Sequence, residues 1–382
     1  MAESPADGPL ADVKVLDLTQ YVSGPYCTQV LADLGATVLK VERPGSGDIY
    51  RSQGPNFIGG ESVSFLALNR GKRSIALDLR DEEDRRRLDE LAGEADVLVE
   101  NFKPGALARY GLDYETVAAR HPRLVYCSIS GFGQRGPLAE RGAFDLTIQA
   151  LSGLMSLNGH PQAPPAKVPV AALDFGSALY GVIGIVAALH RRAATGRGEW
   201  VQTSLLETGL AWLSMHVTSL LAGGEEPQPL GTRSPFFAPY EAYATADGHL
   251  VVVGTGESWP ALCRVLALEG LLDDPRFASN SDRVANAEAL RGEIETALGQ
   301  RTTAEWMPLL AEAGVANAPV QRLPQVLASE QVEALGAVDT LPHPTAGEFP
   351  IVRLPLSFGA QLGAAATAPP PALDADAAKG FG

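Results

Sequence analysis

At 382 residues, with 46% hydrophobic and 20% charged side chains, the chain has the composition of a soluble globular protein long enough for two cores. A net charge of −15 argues against nucleic acid or an anionic membrane as partner, so any anionic ligand must meet a local basic cluster. Cys27, Cys127 and Cys263 are scattered, with no CxxC spacing, which suits a reducing cytoplasm better than a disulfide framework. The opening MAESPADGPLADVKVLDL has neither the basic nor the apolar region of a signal peptide, and a cytoplasmic location is expected.

The first 130 residues alternate strand and helix patterns. Val13–Leu18 reads as a buried strand; Ser23-Gly24-Pro25 then breaks the chain, with Pro25 placed for a first helical turn, and YCTQVLADLG reads as a helix ending at Gly35. Thr37–Val41 is the next strand and Ser74–Leu79 another, followed by a helix over DEEDRRRLDELAGEA whose acidic first turn suits a helix N-terminus. Asp96–Glu100 and Leu124–Ile129 are further strands, with a short helix at PGALARYG. Repeated β-α-β of this kind predicts an α/β fold with a parallel, helix-covered sheet. From Asp145 to Met215 the pattern is helical; its longest apolar run, Ala178–Leu189, reads as a core helix too short to span a bilayer. GGEEPQP from Gly223 reads as a linker, Asp247-Gly248 as the turn of a hairpin, and 259–314 as mostly helical. Beyond Val320 short strands return, and GAAATAPPPALDADAAKGFG is expected to be loosely ordered.

Candidate chemistry is sparse. The turn YVSGPYC lacks the GxGxxG of a dinucleotide site, although Glu42 stands where a ribose-binding acid would. The six histidines are isolated and no GxSxG elbow occurs, so neither a metal site nor a serine hydrolase is expected. GTGES (254–258) reads as a strand-to-helix turn, with a substrate loop as the alternative. Twelve of the thirty Lys and Arg fall between Lys40 and Arg109. Arg43, Lys72, Arg73, Arg80, Lys103 and Arg109 sit at strand ends or loops, where open parallel sheets bind ligands, and a phosphate-bearing ligand competes with plain surface pairing there. Asp174, ahead of a long apolar segment, reads locally first as a helix N-cap with the helix starting at Phe175-Gly176, and second as a carboxylate nucleophile. In the second case the helix end favours its charge and Gly176 leaves room for an electrophile.

Five blocks occur in order: VLDLTQYVSGPYCTQVLADLGATVLKVERPGSGD, NRGKRSIALDLR, DVLVENFKPGALARYGLDY, GFGQRGPLAERGAFD and DFGSALYGVIGIVAALHRRAATGRG. Together, over residues 10 to about 360, they resemble the class III coenzyme A transferases of the CaiB/BaiF type, a superfamily that includes formyl-CoA transferase and the α-methylacyl-CoA racemases. The resemblance implies a Rossmann-like large domain made from both chain ends (1–222 and 321–382), a smaller inserted α+β domain (223–320), and an interlocked, ring-like homodimer. It implies CoA transfer from an acyl-CoA to a free carboxylic acid, with no metal, through aspartyl anhydride and aspartyl-CoA intermediates on Asp174. CoA-contacting positions carry over to Val22, Ser23, Arg43, Leu77, Asp78, Leu79, Arg80, Asn101, Phe102, Lys103 and Arg109. Arg141, Gly142, Ala143 and Phe144 carry over as the loop beside the pantetheine and thiol. The racemases' histidine is replaced by Phe144, which removes their second proton-transfer group. The glycine-rich loop of formyl-CoA transferase is reduced to Gly231. Racemase and non-catalytic CoA-binding activity stand as alternatives, and Arg233 or His216 as weak candidates for holding a second carboxylate.

Overall fold

The computed structural model describes residues 8–359 and 368–381. They form two compact units: Met1–Leu154, Lys167–Glu225 and Glu330–Gly382 in one, Met155–Ala166 and Glu226–Ser329 in the other. The divisions thus fall at 225/226 and 329/330. Residues 155–166 join the smaller unit, where Gly159 carbonyl accepts the Gly231 N–H at 2.7 Å.

In the large unit, β1 (Lys14–Asp17), β2 (Thr37–Glu42), β3 (Lys72–Ala76), β4 (Val97–Glu100), β5 (Val125–Ser130) and β6 (Trp200–Ser204) make one parallel sheet. Its order, β3-β2-β1-β4-β5-β6, is the doubly wound order, with its switch point between β1 and β4. The expected strands are present with shifted ends, while β6 has no counterpart among them. It begins at Trp200, just past the glycines of a helix exit, where a five-residue strand leaves little periodicity to see.

Side chains alternate across the sheet. Val15, Val38, Val99 and Cys127 face α1 (Ser23–Asp33) and the later helices, while Leu16, Leu39, Leu98 and Tyr126 face α2 (Glu82–Glu94) and α3 (Tyr114–Arg120). Asp81 caps α2 by accepting from Glu83 and Asp84 N–H. The first face is covered by α4 (Asp145–Leu151), α5 (Ala172–Thr195) and α6 (Leu205–Trp212), with α7 (Ser214–Leu221) following. By length and composition α5 could cross a membrane, contrary to the reading of its apolar run. One side of it, Leu173, Ala178, Val182 and Ile185, is buried in the sheet's core.

Two local expectations are corrected. Pro25 lies in the first turn of α1 as expected, since proline needs no hydrogen-bond partner there, but the helix already begins at Ser23, so Ser23-Gly24 belong to it and are not a break before it. The C-terminal segment is docked among the described residues 368–381. Asp376 N–H donates to Ser74 carbonyl, Asp374 carboxylate accepts from Ala76 N–H, and Phe381 is buried against Leu88 and Leu91. Residues 363–367 and Gly382 of that segment lie outside the described residues.

The small unit holds a three-stranded antiparallel sheet of β7 (Tyr240–Ala244), β8 (His249–Val253) and β9 (Ala316–Pro319), with the Asp247-Gly248 turn joining the first two. Helices α8 (Ser258–Val265), α9 (Ala287–Leu298) and α10 (Thr303–Glu312) bury Trp259, Leu262, Ile294, Trp306 and Leu310 against it. GTGES is a turn into α8, closed by the Ser258 hydroxyl donating to Thr255 carbonyl at 2.8 Å. Arg233 is paired with Glu288 at 2.6 Å.

Candidate active site

The site is built on the turn that leaves β1. Asp17, fully buried at the strand's end, accepts from Thr19 N–H at 2.9 Å and from the Thr28 hydroxyl at 2.7 Å, and pairs with Lys72 at 3.0 Å. Burial alone would raise its carboxyl, but Lys72 and Lys40 bring it down to about 2. Lys40, also wholly buried, donates to Thr19 carbonyl at 2.7 Å and lies 2.9 Å from Asp48. Asp48 in turn accepts from Tyr50 N–H at 2.9 Å and Tyr21 N–H at 3.4 Å. Asn101, at the end of β4, accepts from Gln20 N–H at 3.0 Å and donates to Gln20 carbonyl at 2.7 Å.

So gripped, the turn holds Tyr21 at φ +68°, a left-handed conformation that a bulky residue adopts only when its surroundings force it. The Tyr21 ring consequently stands edge-on to both Tyr50 and Phe144, at 5.8 Å from each. Lys72 and Arg73 belong to structure and not to a ligand: Lys72 serves Asp17, and Arg73 donates to Gly380 carbonyl.

Two adjoining cavities open beyond the carboxyl ends of the strands and share Gln20 and Phe102. One, of about 390 Å³, is lined by Arg43, Leu77, Asp78, Leu79 and Arg80. Arg80 is paired with Asp78 at 2.8 Å, so the exposed Arg43 is the less committed cation. The other, of about 530 Å³, is lined by Val22, Ser23, Asn101, Lys103, the 141–144 loop, Tyr21, Tyr50 and Asp174. Lys103 lies across Gly142, whose missing side chain leaves room for the lysine stem. Arg109 lines neither cavity; it stacks over Tyr110, which lines the first.

Asp174 is not the N-cap of α5. It is the helix's third residue, and Asp145 at the head of α4 caps instead, accepting from Leu173 N–H at 2.8 Å and Asp174 N–H at 3.3 Å. That releases the Asp174 side chain into the cavity. Burial and then the Asp145 charge push its carboxyl from 3.8 up to about 7, against which the Ser23 hydroxyl pulls by hydrogen bonding. A carboxyl raised so far from its ordinary range, in a cavity, makes Asp174 the candidate for a chemical role. Gly176 plays another part than expected. A Cβ there would meet Trp212 at 2.4 Å and Thr208 at 2.7 Å, so it admits α6 and not a substrate.

Glu100, behind Asn101, is also pushed up to about 7 by burial; it accepts the Phe102 N–H at 2.8 Å and so fixes the 101–103 loop. Tyr21, Tyr50, Asp48, Asp145 and Glu100 were absent from the expected site. Only the φ of Tyr21 and the fold's pairing reveal them. Among the described residues no group of three or more His, Cys, Asp or Glu is placed to hold a metal ion.

A carboxylate that is half ionised at neutral pH, beside a long groove with cations along it, suits acyl transfer from a large anionic thioester. Comparison with known proteins agrees. A profile of CoA-transferase family III matches residues 10–377. Succinyl-CoA:glutarate CoA-transferase of Mus musculus is 38% identical over 90% of this chain and 79% of its own length. Acetyl-CoA:oxalate CoA-transferase of Acetobacter aceti is 40% identical over 87% of each. A solved CAIB/BAIF family protein from Brucella suis, 38% identical, superposes with a TM-score of 0.83 over 97% of this chain and 98% of its own. Ordered motifs, doubly wound sheet and profile match coincide over nearly the full length, and the chain belongs to CoA-transferase family III.

Proposed function

We propose that this CoA-transferase works through Asp174, moving CoA from an acyl-CoA to a free dicarboxylic acid. The observation that carries the reading is Asp174 itself, half-buried, relieved of capping by Asp145 and lining the cavity that adjoins the Arg43–Arg80 groove. Ionised Asp174 attacks the thioester carbonyl; the C–S bond breaks, giving an aspartyl anhydride and CoA thiolate. The thiolate attacks the aspartyl carbonyl, freeing the donor acid and leaving an aspartyl-CoA thioester. The acceptor carboxylate then reverses both steps. Each bond broken is replaced by one of similar energy, so no outside energy source is needed.

Val22, Ser23, Asn101, Phe102 and the 141–144 loop line the thiol end in this scheme, and Arg43 and Leu77–Arg80 the nucleotide end, with Arg109 stacked on Tyr110 outside both cavities. Lys103 and Arg141 are the cations beside Asp174 that fit a second carboxylate. The dicarboxylate class rests on relatives whose names specify glutarate, oxalate and mesaconate. Racemisation finds little support: it needs a second proton-transfer group, and Phe144 occupies that place.

We further propose an interlocked homodimer in the cytoplasm. Leu179, Tyr180, Ile183 and Val186 on α5, Leu210 and Trp212 on α6, and Met215 and Leu221 on α7 are exposed, an apolar expanse that monomers rarely leave uncovered. The free, buried Cys27, Cys127 and Cys263 suit a reducing compartment. Light scattering at low micromolar concentration tests the dimer; a monomer overturns it. For the chemistry, incubation with succinyl-CoA followed by peptide mass analysis should find a CoA adduct on the peptide containing Asp174. Full transfer activity in Asp174→Ala defeats the mechanism.

A further inference from the structure

Glu42 ends β2 and lines the Arg43–Arg80 groove, where a dinucleotide enzyme would keep a ribose-binding acid. Its acceptors are engaged inside the protein instead. One carboxylate oxygen accepts from Asp48 N–H at 2.8 Å and from Arg51 Nε at 2.8 Å. The other accepts from Arg51 Nη2 at 2.6 Å and from the Ser74 hydroxyl at 2.6 Å. Two carboxylate oxygens offer about four acceptor places, so a ribose hydroxyl would have to displace one of these donors. Gly47 makes room for the fork: a Cβ there would meet Glu42 Oε2 at 2.8 Å and Arg51 Cδ at 2.6 Å. Burial would raise the Glu42 carboxyl, but Arg51, Lys40 and Ser74 hold it below its ordinary range.

These bonds decide where the 43–51 loop runs. Its middle is tied to Glu42 through Asp48 N–H and its end through Arg51, whose guanidinium lies 3.8 Å from the centre of the buried Phe65 ring. Arg43, between Glu42 and the first of those ties, lines the groove. Both side chains that grip Glu42 also reach the C-terminal segment. Arg51 Nη2 donates to Pro371 carbonyl at 3.0 Å. The Ser74 oxygen accepts from Asp374 N–H at 3.1 Å while its proton serves Glu42.

We propose that Glu42 is a positioning residue for acyl-CoA binding: it sets the loop that presents Arg43, and through Arg51 and Ser74 it draws residues 371–374 into the same network. This rests on the groove being the CoA site. Glu42 meets no part of the ligand, and its effect passes through Arg43. A guanidinium grips a phosphate well only at a defined distance and angle, so a loosened loop weakens binding more than it slows the chemistry at Asp174. Arg80, in the same groove, is held by Asp78 and stands apart from this network.

The test is Glu42→Gln in the full-length protein, alone and combined with Arg43→Ala, assayed with succinyl-CoA and glutarate. The amide keeps one acceptor oxygen and sets an NH2 group against the donors of the other. The expected result is a KM for succinyl-CoA raised about tenfold, with kcat within about threefold and KM for glutarate within about twofold. In the Arg43→Ala background the same change should add less than about twofold, because the group it positions is gone. Ser74→Ala removes one donor together with the tie to Asp374, and decides the matter should Glu42→Gln not fold. It should raise KM for succinyl-CoA about threefold, again only while Arg43 is present. The inference is overturned, with the groove reading intact, by a KM within about twofold of wild type in the folded variants, by a loss that falls on kcat, or by effects that multiply with Arg43→Ala. An Arg43→Ala variant with wild-type KM overturns the groove reading, and this inference with it.

Discussion

Replacing Asp145 by asparagine tests the electrostatics of the nucleophile without emptying its cap. The amide keeps an oxygen for the Leu173 and Asp174 N–H groups, so α5 should start where it does now, while the charge beside Asp174 is gone. The Asp174 carboxyl sits at about 7 against an ordinary 3.8. That gap is worth roughly 4 kcal/mol at about 1.4 kcal/mol per pH unit. Burial is the larger cause and Asp145 the second. A like charge in the same partly buried site contributes roughly 1–3 kcal/mol at an effective dielectric near 20, or about one to two pH units. If the rate follows the ionised fraction, wild-type kcat rises about tenfold between about pH 6 and pH 8. In Asp145→Asn the midpoint should fall by about one to two units, so the variant outruns wild type at about pH 6 and merely equals it at pH 8. The assay is kcat against pH at saturating succinyl-CoA and glutarate, with products separated chromatographically. A midpoint that stays put or rises, in a variant with wild-type circular dichroism, refutes the account of why Asp174 titrates near neutrality.

The remaining predictions concern what the site costs and what holds it. Because folding raises the Asp174 pKa, the folded chain binds that proton more tightly than the unfolded chain. The associated stability is complete below about pH 4 and is lost as pH rises to about 7. Asp174→Asn should therefore be inactive yet more stable at about pH 8, by up to roughly 4 kcal/mol, with almost no gain at pH 4; denaturant titrations at both pH values check this. Lys72→Met leaves Asp17 buried beside Lys40 alone, and should cost about 3–5 kcal/mol in urea unfolding. In Gly24→Ala the new methyl would lie 2.2 Å from Thr19 Cβ, which the Asp17 carboxylate pins in place. It should cost about 1–3 kcal/mol and lower kcat by disturbing the turn; unchanged melting and kinetics count against the gripped-turn description. Arg43→Ala should raise KM for succinyl-CoA about tenfold with kcat little changed, read from initial rates.

Much of this architecture is legible in the chain itself. Five of the six strands, with α1 and α2, follow from local periodicity, because buried parallel strands are short apolar runs and α2 carries its own N-cap; the short helix expected at PGALARYG is only a 3-10 turn over Ala108–Tyr110, and the α-helix before β5 is α3, Tyr114–Arg120. The role of Asp174 is not legible locally. An aspartate ahead of an apolar helix satisfies the N-cap rule, and only the approach of Asp145 from another helix reassigns the cap. Gly176 misleads similarly: a glycine's purpose is whatever would occupy its Cβ, here Trp212 and Thr208. Basic residues are the least readable from sequence. Arg43 and Lys72 both stand at strand ends, yet Arg43 follows the carboxyl end of β2 and lines the groove, while Lys72 opens β3 at its amino end, opposite Val38, and is sealed against Asp17.

The docked C-terminal segment bears on how the protein comes into being. β3 is the outermost strand of its sheet, and an outer strand with free N–H and C=O groups invites pairing with other chains. Residues 374–376 occupy those groups on Ala76 and Ser74, and Phe381 plugs the layer beneath α2. A sheet begun with residue 14 is thus left with one side open until residue 381 has been synthesised. Removing residues 368–381 should therefore bare the β3 edge and promote association between chains.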